Sequence, residues 1–323
     1  MGTTNTRVWL VRGAEILACA HANVGVRDTA RDGNPARIRA TLRGLIDEVR
    51  SKATVAAKST VPSYVAAAGM ITSPLGLANV PHIDAPASAS DLAAAVQHYH
   101  FPDITDLPII LVPGVRSGPR KADAETISQC DVMRGEETLC LGLIAQRVLQ
   151  PPATLLNLGS HWKAIQLDAQ GRIASSVTSI SGELIHAAQT QTILASAVPQ
   201  ERPPSIDLKW CEAGMRAQRR SGLARALFCV RLLELGSDSI PQERLSFLVG
   251  AFVAADLDAL SARGTIEMNS KVLITGGSAV AEAWRYALEK VQIPAVKLSD
   301  AEVERALLAG LRLIVELCDA KIR

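Results

Sequence analysis

The sequence predicts an α/β fold with mixed β-sheets, divided into two domains. Helical and strand-like hydrophobic patterns alternate along the chain, as they do in α/β proteins. With 323 residues, 48% of them hydrophobic, the chain can bury more than one sizeable core. Pro151 and Pro152 end a helical pattern and precede a new apolar strand. We therefore expect an N-terminal domain over residues 1–150 and a C-terminal domain over residues 151–323.

The N-terminal domain begins with a small polar turn at residues 3–6, directly before a strand pattern that includes Val8 and Leu10. Further along, the patterns predict a helix over 36–53, apolar strands over 63–71 and 107–115, and a helix over 133–149. The first turn of that last helix holds Glu136 and Glu137, where acidic side chains suit the helix dipole.

The C-terminal domain is predicted to open with three strands and to end with helices. Residues 155–184 have the pattern of strand, turn, strand, hairpin turn and strand. Helical periodicity then covers residues 214–235, 242–260, 279–291 and 300–323. The last of these helices is amphipathic and could pack back on the N-terminal domain.

Charge and composition favour a small-molecule ligand. A formal net charge of +2 leaves no broad basic field, so neither nucleic acid nor an anionic membrane is expected as a partner. We find no uninterrupted apolar run of roughly 18 residues and no charged-then-apolar leader, and we expect a cytoplasmic protein. The six cysteines lack CxxC spacing, which argues against a disulfide framework and a zinc site. A homodimer is left open by these observations.

Three glycine turns are candidates for nucleotide binding. Residues 2–7 (GTTNTR) and 159–163 (GSHWK) both place a glycine, a hydroxyl residue and then a basic residue beside an apolar strand. Their free backbone N–H groups could grip a polyphosphate, although two ordinary β-turns would look the same. Residues 276–278 (GGS) join a β-branched strand to a helix, whose N-terminal N–H groups are unpaired. No P-loop and no early Rossmann fingerprint is present, so a nucleotide would be held in another way.

These segments together resemble one enzyme family over nearly the whole chain. The matching stretches are GTTNTRVWLV, AAAGMI, LVPGVRS, DVMRGEET, LGSHWKAIQLD, SGEL, RAQRRSGLARALFCVR and ITGGSAVAEAW. They are similar to the 2-dehydro-3-deoxygalactonokinases, within the actin, heat-shock-70 and sugar-kinase superfamily. DVMRGEET is the most specific of them.

The resemblance implies two ribonuclease-H-like lobes with mixed sheets flanked by helices, and a cleft between them that holds ATP and Mg²⁺. The implied reaction transfers the γ-phosphoryl group of ATP to the terminal hydroxyl of 2-dehydro-3-deoxy-D-galactonate, a step of sugar-acid catabolism. The first phosphate loop would comprise Gly2, Thr3, Thr4 and Asn5. The second phosphate loop would comprise Gly159, Ser160, His161 and Lys163. The adenosine loop would comprise Gly276, Gly277 and Ser278.

The resemblance also suggests which residues meet the sugar acid. Phosphoryl transfer needs a carboxylate to accept the hydroxyl proton, and the candidates are Glu136 first, then Glu137 and Asp131. Each could instead be an exposed charge near a helix start. Arg134 could clamp the substrate carboxylate, because a guanidinium offers a bidentate fork. The remaining substrate-binding candidates, from the matching loops, are Gly69, Met70, Ile71, Pro113 and Gly114.

The match departs from the family at the start of the chain. In the family, a strand ending in a metal-holding aspartate precedes the first phosphate loop, and Met1 stands next to the position expected for that acid. We expect in-frame upstream codons to encode such a strand, and no metal ligand is assigned in this sequence. Two alternatives stay open at this point: a weak or inactive nucleotide- or sugar-acid-binding relic, and a kinase for another small sugar.

Overall fold

The computed structural model describes residues 1–55 and 61–322. The chain forms two compact units. The first comprises Met1–Leu149, Gly171–Ala174 and Glu304–Arg323, and the second comprises Gln150–Gln170 and Ser175–Val303. Helices and sheets occur in both units, so the predicted α/β class with mixed sheets is confirmed.

The first unit contains short sheets and helices. In its described part the strands are β1 (Thr6–Arg12), β2 (Glu15–Ala22), β3 (Val65–Ala67), β4 (Ile83–Asp84), β5 (Gln97–Tyr99), β6 (Ile109–Leu111), β7 (Val115–Ser117) and β8 (Asp131–Met133). The helices are α1 (Val26–Asp32), α2 (Ala36–Val55), α3 (Ala89–Ala94) and α4 (Glu136–Ala145). The sheets have the strand orders β1-β2, β3-β6-β5 and β4-β7-β8.

The second unit is built on one mixed sheet. Its strands are β9 (Ala153–Leu158), β10 (Trp162–Leu167), β11 (Ile173–Ser179), β12 (Val272–Gly276) and β13 (Ala295–Lys297), in the order β11-β10-β9-β12-β13. The first two residues of β11 fall in the first unit. The helices are α5 (Ser181–Gln191), α6 (Leu208–Ser221), α7 (Leu223–Gly236), α8 (Pro241–Ala262) and α9 (Ser278–Lys290). Helix α10 (Asp300–Ile322) begins in this unit and continues into the first.

Helix α2 organises the core of the first unit. Its apolar residues recur every three or four positions, which places them on one face of the helix. The buried members of this stripe are Ile38, Leu42, Leu45, Ile46 and Val49. They belong to two hydrophobic clusters that also include residues of β1, β2 and β6. The stripe therefore anchors the strands that follow the first glycine turn.

Helix α8 is the central helix of the second unit. Among the described residues it is the one helix whose length and composition match those of a membrane span, but 67% of its apolar window is buried inside the protein. The neighbouring helix α6 approaches it closely at two glycines. A Cβ on Gly214 would lie 2.0 Å from the Phe247 carbonyl oxygen, and one on Gly250 would lie 2.0 Å from that of Cys211. Burial and close packing identify α8 as a core helix.

The prediction of a single helix over residues 214–235 was wrong. The structure divides this segment into α6 and α7 at Gly222, where φ is +80°. A positive φ lies outside the right-handed helical region, and glycine adopts it without a side-chain penalty. The hydrophobic periodicity continues across the break, which is why periodicity alone did not reveal it.

Helices α4 and α10 cross at glycines within the first unit. A Cβ on Gly142 would lie 1.7 Å from the Ala306 carbonyl oxygen, and one on Gly310 would lie 1.9 Å from that of Thr138. Since no side chain fits at these distances, the two backbones pack directly against each other. This contact fixes α4, which carries Glu136 and Glu137 in its first turn.

We predict that Gly142→Ala destabilises the protein and that Gly44→Ala does not. The new methyl group at residue 142 would force α4 away from α10, lowering the free energy of unfolding by about 1 to 3 kcal/mol. Gly44 is also helical, but nothing lies within 4 Å of its added Cβ. Alanine there should raise the free energy of unfolding by roughly 0.5 to 1 kcal/mol. Urea denaturation of both variants would measure the difference, and equal stabilities would contradict this account of the crossing.

Candidate active site

In the first unit, three distant parts of the sequence meet through their backbones. The Met70 N–H donates to the Met1 carbonyl oxygen over 2.9 Å. A Cβ on Gly69 would lie 2.5 Å from that same oxygen, and one on Gly135 would lie 3.2 Å from the Gly69 Cα. Both glycines have positive φ, +89° and +109°. The structure therefore brings together the start of the chain, the substrate loop (the predicted substrate-binding residues 69–71) and the DVMRGEET segment.

The first glycine turn, residues 2–5, is closed and rests on α1. The Gly2 N–H donates to the Asn5 carbonyl oxygen over 2.8 Å, and the Arg27 N–H donates to that of Thr3 over 3.0 Å. A Cβ on Gly25 would lie 2.5 Å from the Thr3 oxygen, so glycine is needed for this approach. Gly2 and Asn5 are exposed, as a ligand-binding turn requires.

Arg134 holds the loop that follows Gly69. Its guanidinium donates to Thr72 Oγ1 and to the Val80 carbonyl oxygen, each over 2.8 Å, and lies 3.3 Å from His82 Nδ1. Partial burial lowers the pKa of Arg134. These bonds give the side chain a positioning role, while its predicted role as a clamp on the substrate carboxylate stays a prediction.

The two glutamates at the start of α4 have different surroundings. Glu137 is fully buried, and both of its carboxylate oxygens accept from the Gly135 N–H over 2.8 Å. Burial, reinforced by the negative charge of Glu136, raises the pKa of Glu137 to about 8. Glu136 is partly exposed, and its Oε2 accepts from the Arg134 N–H over 3.2 Å. Asp131 lies at the other end of β8, roughly 10 Å along the strand from Arg134.

Pro113 and Gly114 lie behind the Arg134 segment. Both are buried, and a Cβ on Gly114 would lie 2.2 Å from the Met133 carbonyl oxygen and 2.7 Å from His82 Cδ2. Gly114 therefore supports the site through close packing, and contact of Pro113 or Gly114 with a substrate stays a prediction. Met70 is partly exposed and Ile71 is buried, and their contact with a substrate stays a prediction.

In the second unit, the second and third glycine turns lie side by side. Residues 159–161, the second glycine turn, connect β9 to β10, and the Gly159 N–H donates to the His161 carbonyl oxygen over 3.2 Å. Strands β9 and β12 are parallel and pair Leu158 with Gly276. A Cβ on Gly276 would lie 1.9 Å from the Leu158 carbonyl oxygen. Because parallel strands end at the same sheet edge, both turns are presented there.

The third glycine turn, residues 276–278, leaves the N-terminus of α9 open. Gly277 is its N-cap, makes no side-chain cap hydrogen bond, and would have nothing within 4 Å of an added Cβ. Ser278 begins the helix, and its side chain lies outside the described residues. A helix N-terminus with free N–H groups and open space beside it favours an anion such as phosphate.

Lys163 lies inside the second unit. Its side chain is buried on β10, and Nζ donates to Thr178 Oγ1 over 2.6 Å. It lines a cavity of about 50 Å³ together with Asp256 and Trp284. The side chain thus stabilises the strand behind the second glycine turn, and direct contact of its ammonium group with a phosphate stays a prediction.

Gly182 and Glu183 contact the second glycine turn, although no pattern in the sequence had assigned them a role. The Glu183 N–H donates to the Ser160 carbonyl oxygen over 2.9 Å, and Glu183 Oε1 lies 3.4 Å from His161 Nε2. A Cβ on Gly182 would lie 2.3 Å from the Gly159 carbonyl oxygen. The one clue in the sequence was the segment SGEL, residues 181–184, which matches the family. Its residue types do not indicate that it lies against the second glycine turn.

The described residues contain no group of three or more His, Cys, Asp or Glu side chains that could hold a metal ion. Magnesium bound through nucleotide phosphates keeps several waters and needs only one or two carboxylates.

Comparison with known proteins gives a family and a fold. A family model described as 2-keto-3-deoxy-galactonokinase matches residues 1–314. The chain is similar to a solved structure from Sinorhizobium meliloti that carries the provisional name 2-dehydro-3-deoxygalactonokinase, with a TM-score of 0.75 and 23% identity over 98% of this chain and 96% of that one. No curated protein sequence matches the chain.

Two further solved structures are more distantly similar. The activator of the 2-hydroxyisocaproyl-CoA dehydratase from Clostridium difficile, with bound ADPNP, has a TM-score of 0.48 and 13% identity over 100% of this chain and 95% of that one. The (R)-2-hydroxyglutaryl-CoA dehydratase component A from Acidaminococcus fermentans has a TM-score of 0.45 and 15% identity over 98% of this chain and 96% of that one.

We predict that Glu137→Gln changes how stability depends on pH. The folded pKa of about 8 lies above the ordinary value of 4.5, so the protonated carboxyl stabilises the fold fully below about pH 4.5 and this stabilisation is lost as pH rises toward 8. Glutamine does not titrate. Between those pH values, the wild type should lose on the order of 4 kcal/mol of unfolding free energy relative to Glu137→Gln.

Urea denaturation at several pH values between 4.5 and 8 would measure this difference. Glu125→Gln, which changes an exposed glutamate, is the matched control and should follow the wild type. Parallel stability curves for the wild type and Glu137→Gln would show that Glu137 is ionised in the folded protein and would refute the assignment.

Proposed function

The chain belongs to the 2-keto-3-deoxy-galactonokinase family and is a phosphotransferase acting on a sugar acid, and we propose that it transfers the γ-phosphoryl group of ATP to the terminal hydroxyl of 2-dehydro-3-deoxy-D-galactonate. The observation that carries this proposal is the family match over residues 1–314. The predicted family membership is thereby confirmed.

The second and third glycine turns are proposed to bind the nucleotide. Both lie at one edge of the sheet in the second unit, and Gly277 starts a helix without a side-chain cap. Backbone N–H groups in such positions hold phosphate oxygens without bulky side chains between them. The exposed first glycine turn, residues 2–5, is proposed to contact phosphate in the same way. In phosphoryl transfer, this positioning and charge stabilisation supply most of the catalysis.

Magnesium is proposed to arrive bound to the ATP phosphates, where it would neutralise part of their charge. One or two carboxylates, together with waters, would suffice to hold it there.

Glu136 is the proposed general base. Its carboxylate is partly exposed and next to Gly135, which packs on Gly69 of the substrate loop. It can therefore reach a hydroxyl group on a substrate held by that loop, whereas Glu137 is buried. The positive charge of Arg134 would favour a substrate carboxylate at the same place.

A cytoplasmic location and a homodimer belong to the same proposal. Phe228, Leu232 and Leu235 recur at helical spacing on α7 and are 47%, 40% and 68% exposed. This apolar stripe is a surface through which two copies could associate.

A coupled assay for ADP release, with 2-dehydro-3-deoxy-D-galactonate as acceptor, tests the proposed function. We expect turnover with this acceptor and little with neutral hexoses, because a neutral hexose lacks the carboxylate proposed to interact with the positive charge of Arg134. Turnover only with neutral hexoses would favour a kinase for another sugar. No turnover with any acceptor, despite ATP binding, would favour the inactive nucleotide-binding alternative.

We predict that Glu136→Gln lowers kcat by about 100-fold to 10,000-fold, because the amide cannot accept the hydroxyl proton. Asp131→Asn is the control: it also replaces a carboxylate by an amide, but at the start of β8, away from Arg134 and Glu136. It should change kcat by less than about tenfold. Steady-state kinetics of both variants would measure this. Near-normal turnover by Glu136→Gln would exclude it as the base, and a large loss only in Asp131→Asn would move the assignment to Asp131.

A further inference from the structure

A carboxylate on the core helix α8 holds the junction between β11 and α5. Asp256 Oδ2 accepts hydrogen bonds from the hydroxyls of Ser179 and Ser181, the latter over 2.9 Å. Ser179 is the last residue of β11 and Ser181 is the first residue of α5. Ser179 Oγ also lies 3.0 Å from Ser181 Oγ. One acceptor atom therefore binds the side chains on both sides of the junction.

The same junction supports the second glycine turn. Two residues after Ser181, the Glu183 N–H donates to the Ser160 carbonyl oxygen over 2.9 Å. The intervening residue is Gly182, where a Cβ would lie 2.3 Å from the Gly159 carbonyl oxygen and 2.6 Å from that of Ser160. The start of α5 thus packs directly on the backbone of the turn, and any shift of α5 would be transmitted to it.

The position of Asp256 makes this connection rigid. Ser181 is buried, and burial raises the pKa of Asp256 while the two serine hydroxyls lower it. Lys163, the other charged side chain lining the cavity beside Asp256, is bonded to Thr178 on β11. A half-buried carboxylate loses stability without its hydrogen-bond donors, so Asp256 keeps the hydroxyls of Ser179 and Ser181 close to it. Because Asp256 lies on the core helix α8, both serines are held in a fixed position relative to that helix.

We infer that Asp256 is a positioning residue for the second glycine turn, holding residues 159–161 in the shape that binds an ATP phosphate. The inference rests on the proposed function, since it assigns a phosphate to that turn. Asp256 acts through Ser179, Ser181 and the start of α5 rather than by touching the nucleotide.

The test compares Asp256→Asn with Asp258→Asn. The amide keeps the shape of the carboxylate but loses its charge, so its bonds to the two hydroxyls weaken. Asp258 lies two residues further along the same helix, is exposed, and pairs with Arg219 over 3.1 Å. It is therefore the matched control. We expect Asp256→Asn to raise KM for ATP and Kd for ADP by about tenfold, with KM for the sugar acid unchanged and Asp258→Asn close to wild type.

Hydrogen exchange provides a second readout that a general loss of stability would not reproduce. In Asp256→Asn, the amides of Gly159 and Glu183 should exchange faster, while those of the core strand β12 should be unchanged. If Asp256→Asn fails to fold, Gly182→Ala tests the same contact from the other side. Its methyl group would displace the turn and should raise Kd for ADP in the same way.

The outcomes separate this inference from the proposed function. A wild-type protein that neither binds ADP nor phosphorylates a sugar acid would overturn the proposed function and, with it, the phosphate assigned to the turn. An active wild type, with unchanged Kd for ADP in a folded Asp256→Asn, would overturn only the positioning role. An equal rise in KM for ATP and KM for the sugar acid would also overturn it, because it would indicate a general structural effect.

Discussion

The candidate site depends on backbone segments that approach each other too closely for any side chain. Gly69 packs on Met1, Gly182 on the second glycine turn, and Gly276 on the end of β9, each with less than 3 Å between a would-be Cβ and a carbonyl oxygen. Gly135 lies almost as close to Gly69. These contacts bring distant segments of each unit together with backbone rather than side chains at the turns, and the first N–H groups of α9 have no partner within the helix. That is the arrangement that suits a densely charged phosphate.

Buried and half-buried polar groups fix the segments that the glycines bring together. Glu137 binds the Gly135 N–H, Arg134 binds the loop after Gly69, and Asp256 binds both sides of the β11–α5 junction. A buried polar group that loses its partner pays its full desolvation penalty, so these bonds resist small displacements. The side chains proposed for chemistry can then be few, because the backbone is already in place before a ligand arrives.

Local patterns in the sequence predicted the secondary-structure elements but not the tertiary contacts that hold these elements together. The helix at residues 36–53, the hairpin around Gly159 and the strand-to-helix junction at Gly277 are each encoded by neighbouring residues, and the structure has them. The break at Gly222 was missed because glycine is tolerated inside a helical pattern. Asp256 could not be found in this way, since it lies 75 residues from Ser181 and its role depends on a tertiary contact.

Hydrogen exchange of the wild-type protein with and without a nonhydrolysable ATP analogue tests most directly whether glycine-turn N–H groups bind phosphate. We expect the analogue to slow exchange at residues 159–161 and 277–280, which form the second glycine turn and the start of α9. Exchange that is unchanged in both segments, with slowing confined to other parts of the second unit, would contradict the account.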